Sequence, residues 1–403
     1  MGSRHRVGRV TAALAFVAIF LAALNLRAGI ASVGPVLADV LAWYSAGGAL
    51  AGLVTAMPCF FFGVMGLAAV PLARRVGLSR ALLGGMVLTT VGLGVRPWVG
   101  SVWAFLVLTA CVVAGIALSN VLIPAWVKTH GGRNMVTLMT VNSSVLGLSG
   151  ALGPLSAGLA HEPGGWRHAV FIWVWLSVAQ VLAWVIVAWR TGYDFPRSGA
   201  RGAGPAVPLR RSPTAVALTA YFGLQSLQAY TQMGWLPQIL IDSGQSRGIG
   251  SLALSITLVL GILGGLVMPA ALARAESPQV YPVLFAALTA LGWVGVLLAP
   301  SWSVLWAFVL GVGGWSFPTA LNLIVVRARD PEVAARLSGF VQPVGYFLAM
   351  LAPLAVGFVY RPEMDWTVVI LVLAGLAVAK GVVGRRAARP VLVDDELAVA
   401  RPC

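Results

Sequence analysis

Acidic side chains are scarce in this chain. Only 12 of 403 residues are Asp or Glu, against 27 Lys and Arg, and charged residues make up 10% of the whole. A water-soluble fold of this length needs far more polar surface. With 59% hydrophobic residues, the chain reads as a polytopic membrane protein in contact with the lipid bilayer. Cysteine is nearly missing too. Cys59 and Cys111 fall in apolar runs and Cys403 at the tail, with no CxxC pair, which excludes a disulfide framework or a cysteine metal site. The four histidines, His5, His130, His161 and His168, lie in or beside loops. No metal-ligand cluster and no nucleophile–base pair emerges, so no catalytic residue, metal or cofactor is expected and the chain does not read as an enzyme. Nor does the net charge of +15 point to nucleic acid, because the basic residues sit between apolar runs and form no basic face with interleaved aromatics.

What is present in quantity is the long apolar run. Twelve are predicted, at 10–38, 46–72, 80–97, 101–127, 134–160, 168–190, 214–240, 250–273, 280–299, 302–326, 335–360 and 366–384, each 18 residues or more. The first follows a basic start that could mimic a signal peptide, but it is too long for one and is read as a retained span. With the N-terminus inside, 22 basic residues fall on inner segments and 4 on outer ones. By the positive-inside rule both termini are cytoplasmic, in the plasma membrane.

The polar stretch 191–213 is rich in Gly, Pro, Ser and Arg and divides the spans six and six. The expected organisation is therefore an N-terminal six-helix bundle (1–190), a flexible cytosolic linker without chemistry (191–213), a C-terminal six-helix bundle (214–384) and a cytosolic tail (385–403). The halves repeat. A shift of 199 residues places Gly115 on Gly314, Lys128 on Arg327, Pro154 on Pro353 and Gly158 on Gly357. An even span count gives the two halves the same direction across the membrane, which is similar to the parallel repeat of the major facilitator fold: an all-α membrane protein of 12 transmembrane helices.

One residue breaks the apolar pattern of the first run. Arg27 lies 12 residues before Asp39, the first acid after it. At about 1.5 Å per residue that is roughly 18 Å from the outer end, inside the hydrocarbon core. A charge there costs on the order of 2.5–3.5 kcal/mol on insertion scales and usually marks a solute pathway, although carbonyls or vestibule water could also satisfy it. An arginine stays charged and presents five donors, which suits a small anion or a polar group.

The seventh run carries Gln225, Gln228, Gln232, Tyr230 and Trp235. The glutamines are spaced three and four apart, so they share a helix face and read either as a hydrogen-bonding wall of the path or as interhelical packing. Asn120, Asn142, Asn322, Gln342 and Tyr346 are further polar groups inside runs. The expected substrate-binding set is Arg27, Asn120, Gln225, Gln228, Tyr230, Trp235, Asn322, Gln342 and Tyr346. After the second run, Gly66 to Arg80 holds Pro71, Arg74, Arg75 and Gly77 but no acid, a degenerate form of the major facilitator superfamily's loop motif. The fifth run reads Gly147-Leu-Ser-Gly150-Ala-Leu-Gly153-Pro154, which permits close helix packing and a bend and resembles the Gly-Pro motif of exporters in that superfamily. Arg74, Arg75, Pro154 and Pro353 are the expected gating residues. Gly261 and Gly265 form a GxxxG spacing.

Leu24-Asn-Leu-Arg27-Ala-Gly-Ile-Ala-Ser-Val-Gly-Pro35 resembles the first helix of the CynX/NimT transporters, a major facilitator family associated with cyanate and 2-nitroimidazole. Gly115 to Lys128, Phe222-Gly-Leu-Gln225-Ser226, Trp235-Leu-Pro237, and Arg327 through Tyr346 resemble that family in the same order. Trp315-Ser316 beside Gly313-Gly314, and Gly131-Gly132 in an inner loop, depart from it. The resemblance implies a monomeric secondary transporter moving a small polar or anionic solute, such as cyanate or a nitro-compound, by alternating access with Arg27 in a central cavity. A drug or metabolite exporter of the same fold, or a receptor without transport, are the alternatives. No Asp, Glu or His sits well inside a run, so coupling to protons by an intramembrane carboxylate is not expected.

Overall fold

The computed structural model describes residues 10–159, 164–195, 208–329, 331–362 and 364–399. His5, His161, Cys403, most of the linker and the basic residues of the N-terminal start lie outside them. The first run begins at α1 (Ala12–Ala31), capped by the Thr11 hydroxyl, which accepts the Leu14 N–H. It is not one continuous helix. Pro35 cannot donate to the ladder, and a 3₁₀ turn at Gly34–Val36 separates α1 from α2 (Leu37–Trp43). There follow α3 (Gly48–Val76), α4 (Leu78–Val95), α5 (Val102–His130) and α6 (Met135–Leu155). Pro154 ends α6 instead of bending its middle, and the chain continues as a 3₁₀ turn from Ser156. The sixth span is α7 (Trp166–Phe171) with α8 (Trp173–Thr191).

The second half opens with α9 (Pro213–Asp242), where Ser212 caps and Pro213 takes the first position, a preorganised start. Then come α10 (Arg247–Arg274) and α11 (Val280–Leu298). The tenth span breaks at Gly314 into α12 (Ser303–Gly313) and α13 (Ser316–Val326). The eleventh breaks at Met350 into α14 (Pro331–Ala349) and α15 (Leu351–Val359), and Pro353 sits in the first turn of α15, where a missing N–H costs least. The twelfth is α16 (Thr367–Ala387), and a short helix α17 (Val393–Val399) lies in the tail.

Eleven of the twelve expected spans are helices long and apolar enough to cross a membrane among the described residues. The exception is the seventh. At 30 residues α9 is long enough, but its glutamines dilute its apolar character.

The chain forms two compact units, Met1–Ser32 with Val64–Ala200, and Val33–Gly63 with Arg201–Cys403. In the first, Phe105, Trp126, Trp166 and Trp184 are buried, and the Trp184 indole N–H reaches the Ala18 carbonyl at 3.1 Å. The second is built on Tyr221, Phe222, Leu218, Leu323, Leu337 and Val341. Each unit packs a glycine of its fourth span against a threonine of its third, at positions within one residue of the 199 shift. Gly115 on the fourth span seats against Thr89 on the third, and Gly313 on the tenth against Thr289 on the ninth.

Described residues of both the linker and the tail are docked. Asp194, just after α8, accepts the Ser79 N–H at 3.1 Å and the Ser79 hydroxyl at 2.6 Å, and lies 3.5 Å from His130 Nε2. The acid lacking from the Gly66–Arg80 motif is thus supplied at the start of α4 from far along the chain. Gly77 there has φ +96°, and any Cβ would stand 2.9 Å from the Asp194 carboxylate, so glycine is required. In the tail, Glu396 accepts the Ser212 hydroxyl and the Thr214 N–H, the latter at 3.1 Å, at the start of α9. Two cations also sit elsewhere than expected. Lys380, counted with the inner segments, is buried within α16 and donates to Thr289 Oγ at 2.9 Å. Arg96, assigned to an outer segment, is buried at the end of the third span.

Candidate functional site

From Leu21 to Ile30, α1 is buried except along one stripe at three-residue spacing: Leu21, Leu24, Arg27 and Ile30. Arg27 is therefore half-buried while its neighbours Asn25, Leu26 and Ala28 are enclosed. Its guanidinium forms no hydrogen bond or ion pair among the described residues. All five donors are left to water or a ligand.

The backbone of this turn, by contrast, is tightly held. Ser149 Oγ on α6 accepts the Arg27 N–H at 3.2 Å and the Ala28 N–H at 3.0 Å. Arg96 Nη2, from the end of α4, donates to the Gly29 carbonyl at 2.9 Å, serving one of the orphan carbonyls at the C-terminus of α1. Asn25 Nδ2 donates to Gln180 Oε1 on α8 at 2.8 Å. Neither Ser149 nor Arg96 was singled out in the sequence. Ser149 stands in the Gly-rich run, where small residues draw attention to packing and hide a hydroxyl. Asn120 is part-buried on α5, a helix that packs against α1, and its Nδ2 bonds its own helix at the Ile116 carbonyl, 3.0 Å away.

In the second unit the expected residues fall into two groups. Tyr230 and Tyr346 meet edge to face at 6.1 Å, and Phe62 of α3 packs on both, 6.2 Å from Tyr230 and 5.2 Å from Tyr346. Phe222 closes on Tyr346 at 5.1 Å. Phe62 was hidden in the run Phe60-Phe61-Phe62, where composition cannot tell which ring turns inward. Gln342, one turn before Tyr346, bonds the Ser338 hydroxyl at 2.6 Å, and Asn322 on α13 bonds the Pro318 carbonyl at 2.8 Å. Both are part-buried.

The other group is locked. Gln228 accepts the Trp293 indole N–H at 2.7 Å and donates to the Leu373 carbonyl at 2.7 Å, tying α9 to α11 and α16. Gln225 bonds Ser226 Oγ at 3.0 Å. Trp235 donates to the Pro353 carbonyl at 3.2 Å and packs on Tyr360 and Trp366. Asp242 receives the Trp366 indole N–H at 2.9 Å. Asp39, the acid near the first helix, pairs with Arg247 at 2.8 Å.

Arg74 and Arg75 stand exposed in the last turn of α3, and the Arg74 carbonyl accepts the Tyr193 hydroxyl at 2.6 Å. At Trp315, one of the departures from the family pattern, the indole N–H reaches the Leu260 carbonyl at 2.8 Å over Gly264. Gly264, not the Gly261/Gly265 pair, is the packing glycine of that helix.

Comparison with known proteins agrees with this architecture. The family model described as Major Facilitator Superfamily matches residues 15–353. The 2-nitroimidazole transporter of Escherichia coli (strain K12) is 29% identical over 373 residues, covering 92% of this chain and 94% of that protein. The cyanate transport protein CynX of the same organism is 27% identical over 369 residues, covering 89% and 94%. The resemblance to CynX/NimT transporters is thereby borne out over nearly the whole chain. Among solved structures, the inward-open xylose transporter XylE from Escherichia coli superposes with a TM-score of 0.74 at 12% identity, covering 97% of this chain and 99% of that one.

Proposed function

Because the chain belongs to the Major Facilitator Superfamily, we propose that it moves a small polar or anionic solute of the cyanate or nitro-compound class across the plasma membrane by alternating access, with Arg27 as the group that holds it. The observation that carries this reading is the Arg27 guanidinium, inside a membrane span, part-exposed and without a protein partner among the described residues. An uncompensated cation at that depth is retained where it meets a ligand. The relatives named for 2-nitroimidazole and cyanate supply the solute class. Both carry groups, a nitro group or an anion, that a planar five-donor fork recognises.

Asn120 on α5, the part-buried amides of Asn322 and Gln342, and the ring of Tyr230 with the buried Tyr346 packed against it, complete the solute path in this proposal. Gln225 and Gln232 line α9, while Gln228 and Trp235 act by holding that helix in place. Pro154, Pro353, Arg74 and Arg75 serve the conformational change. In this proposal the protein works as a monomer, and both termini are cytoplasmic, the latter supported by the excess of basic residues on the segments assigned inside.

The test is transport in proteoliposomes with cyanate and 2-nitroimidazole as probes. Arg27→Ala should abolish saturable uptake while the protein inserts and stays monodisperse. Losing charge-assisted hydrogen bonds of about 1.5–3 kcal/mol corresponds to roughly a 10- to 150-fold loss of affinity. Arg27→Lys should be impaired as well, since a point charge does not reproduce the fork. Unchanged affinity in folded Arg27→Ala would overturn the reading.

A further inference from the structure

Arg27 poses a problem of aim. A long, untethered side chain can point in many directions, and none of its atoms is tied to the protein among the described residues. Its direction is then set by the backbone that carries it. That backbone is gripped at one place. In a regular helix the N–H groups of residues 27 and 28 point to the carbonyls of Ala23 and Leu24. Here one buried oxygen, Ser149 Oγ, also accepts both, at 3.2 and 3.0 Å. A side chain inserted into a helix ladder shifts and bends the helix at that point.

The grip is built rather than incidental. One turn beyond Ser149, Gly153 lets α6 ride directly on α1: a Cβ there would lie 2.9 Å from Ala31 Cβ and 3.0 Å from the Ala28 carbonyl. From α4, Arg96 holds the next carbonyl, that of Gly29, at 2.9 Å. The backbone from Arg27 to Ala31 is thus fixed by two helices while the Arg27 side chain is left open.

We propose that Ser149 is a positioning residue for solute binding, its hydroxyl oxygen fixing the height and rotation of the Arg27 turn so that the guanidinium meets the solute preformed. This rests on the reading of Arg27 as the solute-holding group. It gives the hydroxyl a role distinct from close packing, which Gly153 already provides. Preorganisation of a binding group acts on affinity more than on turnover.

The experiment uses the full-length protein in proteoliposomes, with cyanate as probe and a parallel titration of cyanate binding to the monodisperse fraction. Ser149→Ala, Arg27→Lys and the double variant form a cycle, and Ser149→Thr retains the oxygen. The expected result is a KM raised about tenfold in Ser149→Ala, with the maximal rate per folded transporter within twofold. Ser149→Thr should stay near the parent KM. In the Arg27→Lys background, Ser149→Ala should add little, because the residue acts through the arginine fork. An unchanged KM in Ser149→Ala, or an equal loss in both backgrounds, would overturn the positioning role. If Arg27→Ala itself binds cyanate as tightly as the parent, the reading beneath falls and takes this one with it. Loss in Arg27→Ala with none in Ser149→Ala sinks the positioning role alone.

Discussion

Replacing Asp194 by asparagine should destabilise the first unit far more than its place in a linker suggests. Both carboxylate oxygens lie 3.1 Å from the Ser79 N–H, and Oδ2 also takes the Ser79 hydroxyl at 2.6 Å. Ser79 Oγ in turn accepts the Trp126 indole N–H at 2.8 Å, so it has no spare geometry. Asparagine keeps one acceptor but turns an NH₂ toward groups that are themselves donors. The substitution therefore removes one charge-assisted hydrogen bond, about 1.5–3 kcal/mol, and the negative charge at the start of α4, about 0.3–2 kcal/mol. The remaining amide oxygen returns part of this, leaving on the order of 1–4 kcal/mol. Asp395→Asn is the matched control. Its 3.3 Å pair with Arg329 is 68% and 58% exposed on the two side chains, and such pairs contribute about 0–1 kcal/mol. Thermal unfolding of purified protein in detergent, read by tryptophan fluorescence, measures both. At about 2–4 °C per kcal/mol for domains of moderate size, Asp194→Asn should lower the midpoint by several degrees and Asp395→Asn by less, between about 0 and 4 °C. Equal midpoints for the two variants would refute the argument that burial and donor count separate them.

Two further substitutions distinguish packing from transport. Gln228→Leu leaves the Trp293 indole N–H without its acceptor and should cost about 1–3 kcal/mol, with cyanate affinity within twofold of the parent; a large loss of affinity at unchanged stability would place Gln228 on the solute path. Lys380→Met removes a buried amine whose hydrogen-bond partner is Thr289, which still bonds the Phe285 carbonyl. Replacing buried ionic groups by apolar ones of similar volume is often neutral or stabilising by about 1–4 kcal/mol, so the unfolding midpoint should hold or rise with uptake unchanged; loss of uptake in folded Lys380→Met would show that this amine serves transport.

Eleven of the apolar runs were legible as spans because lipid tolerates few alternatives to a helix satisfied within itself. Even the seventh span's exception was foreshadowed by Gln225, Gln228 and Gln232. Arg27 was legible for the same reason, as a charge where charge is expensive. What stayed hidden was the distinction among polar groups once they are inside. Gln225, Gln228 and Gln232 look equivalent in sequence, yet Gln228 alone bridges α9 to Trp293 and Leu373. That difference depends on which neighbour stands one helix away, and spacing along one helix does not contain it. Ser149 was hidden by its company, since small residues around it suggest packing. Lys380 was hidden by its position near basic residues at the end of a span, where a snorkelling side chain would look the same.

The docked connections show how one duplicated scaffold came to use different chemistry in its two copies. The shift of 199 residues places His130 on Arg329 and Asp194 on Val393, beside Asp394. In the first unit the acid beyond the sixth span meets His130, which ends the fourth, with both side chains nearly enclosed. In the second, Asp394 accepts the Arg329 N–H at 2.8 Å and Asp395 pairs with its guanidinium, largely in the open. Each unit therefore closes a loop from the end of its last helix to the end of its fourth. The enclosed version needs a fully satisfied carboxylate, and Ser79 with Trp126 provides for it. The open version needs no such support, because water solvates what the partner leaves. An acid placed just after the last span thus acts as a structural strap in both halves, and burial alone decides which of the two the fold depends on.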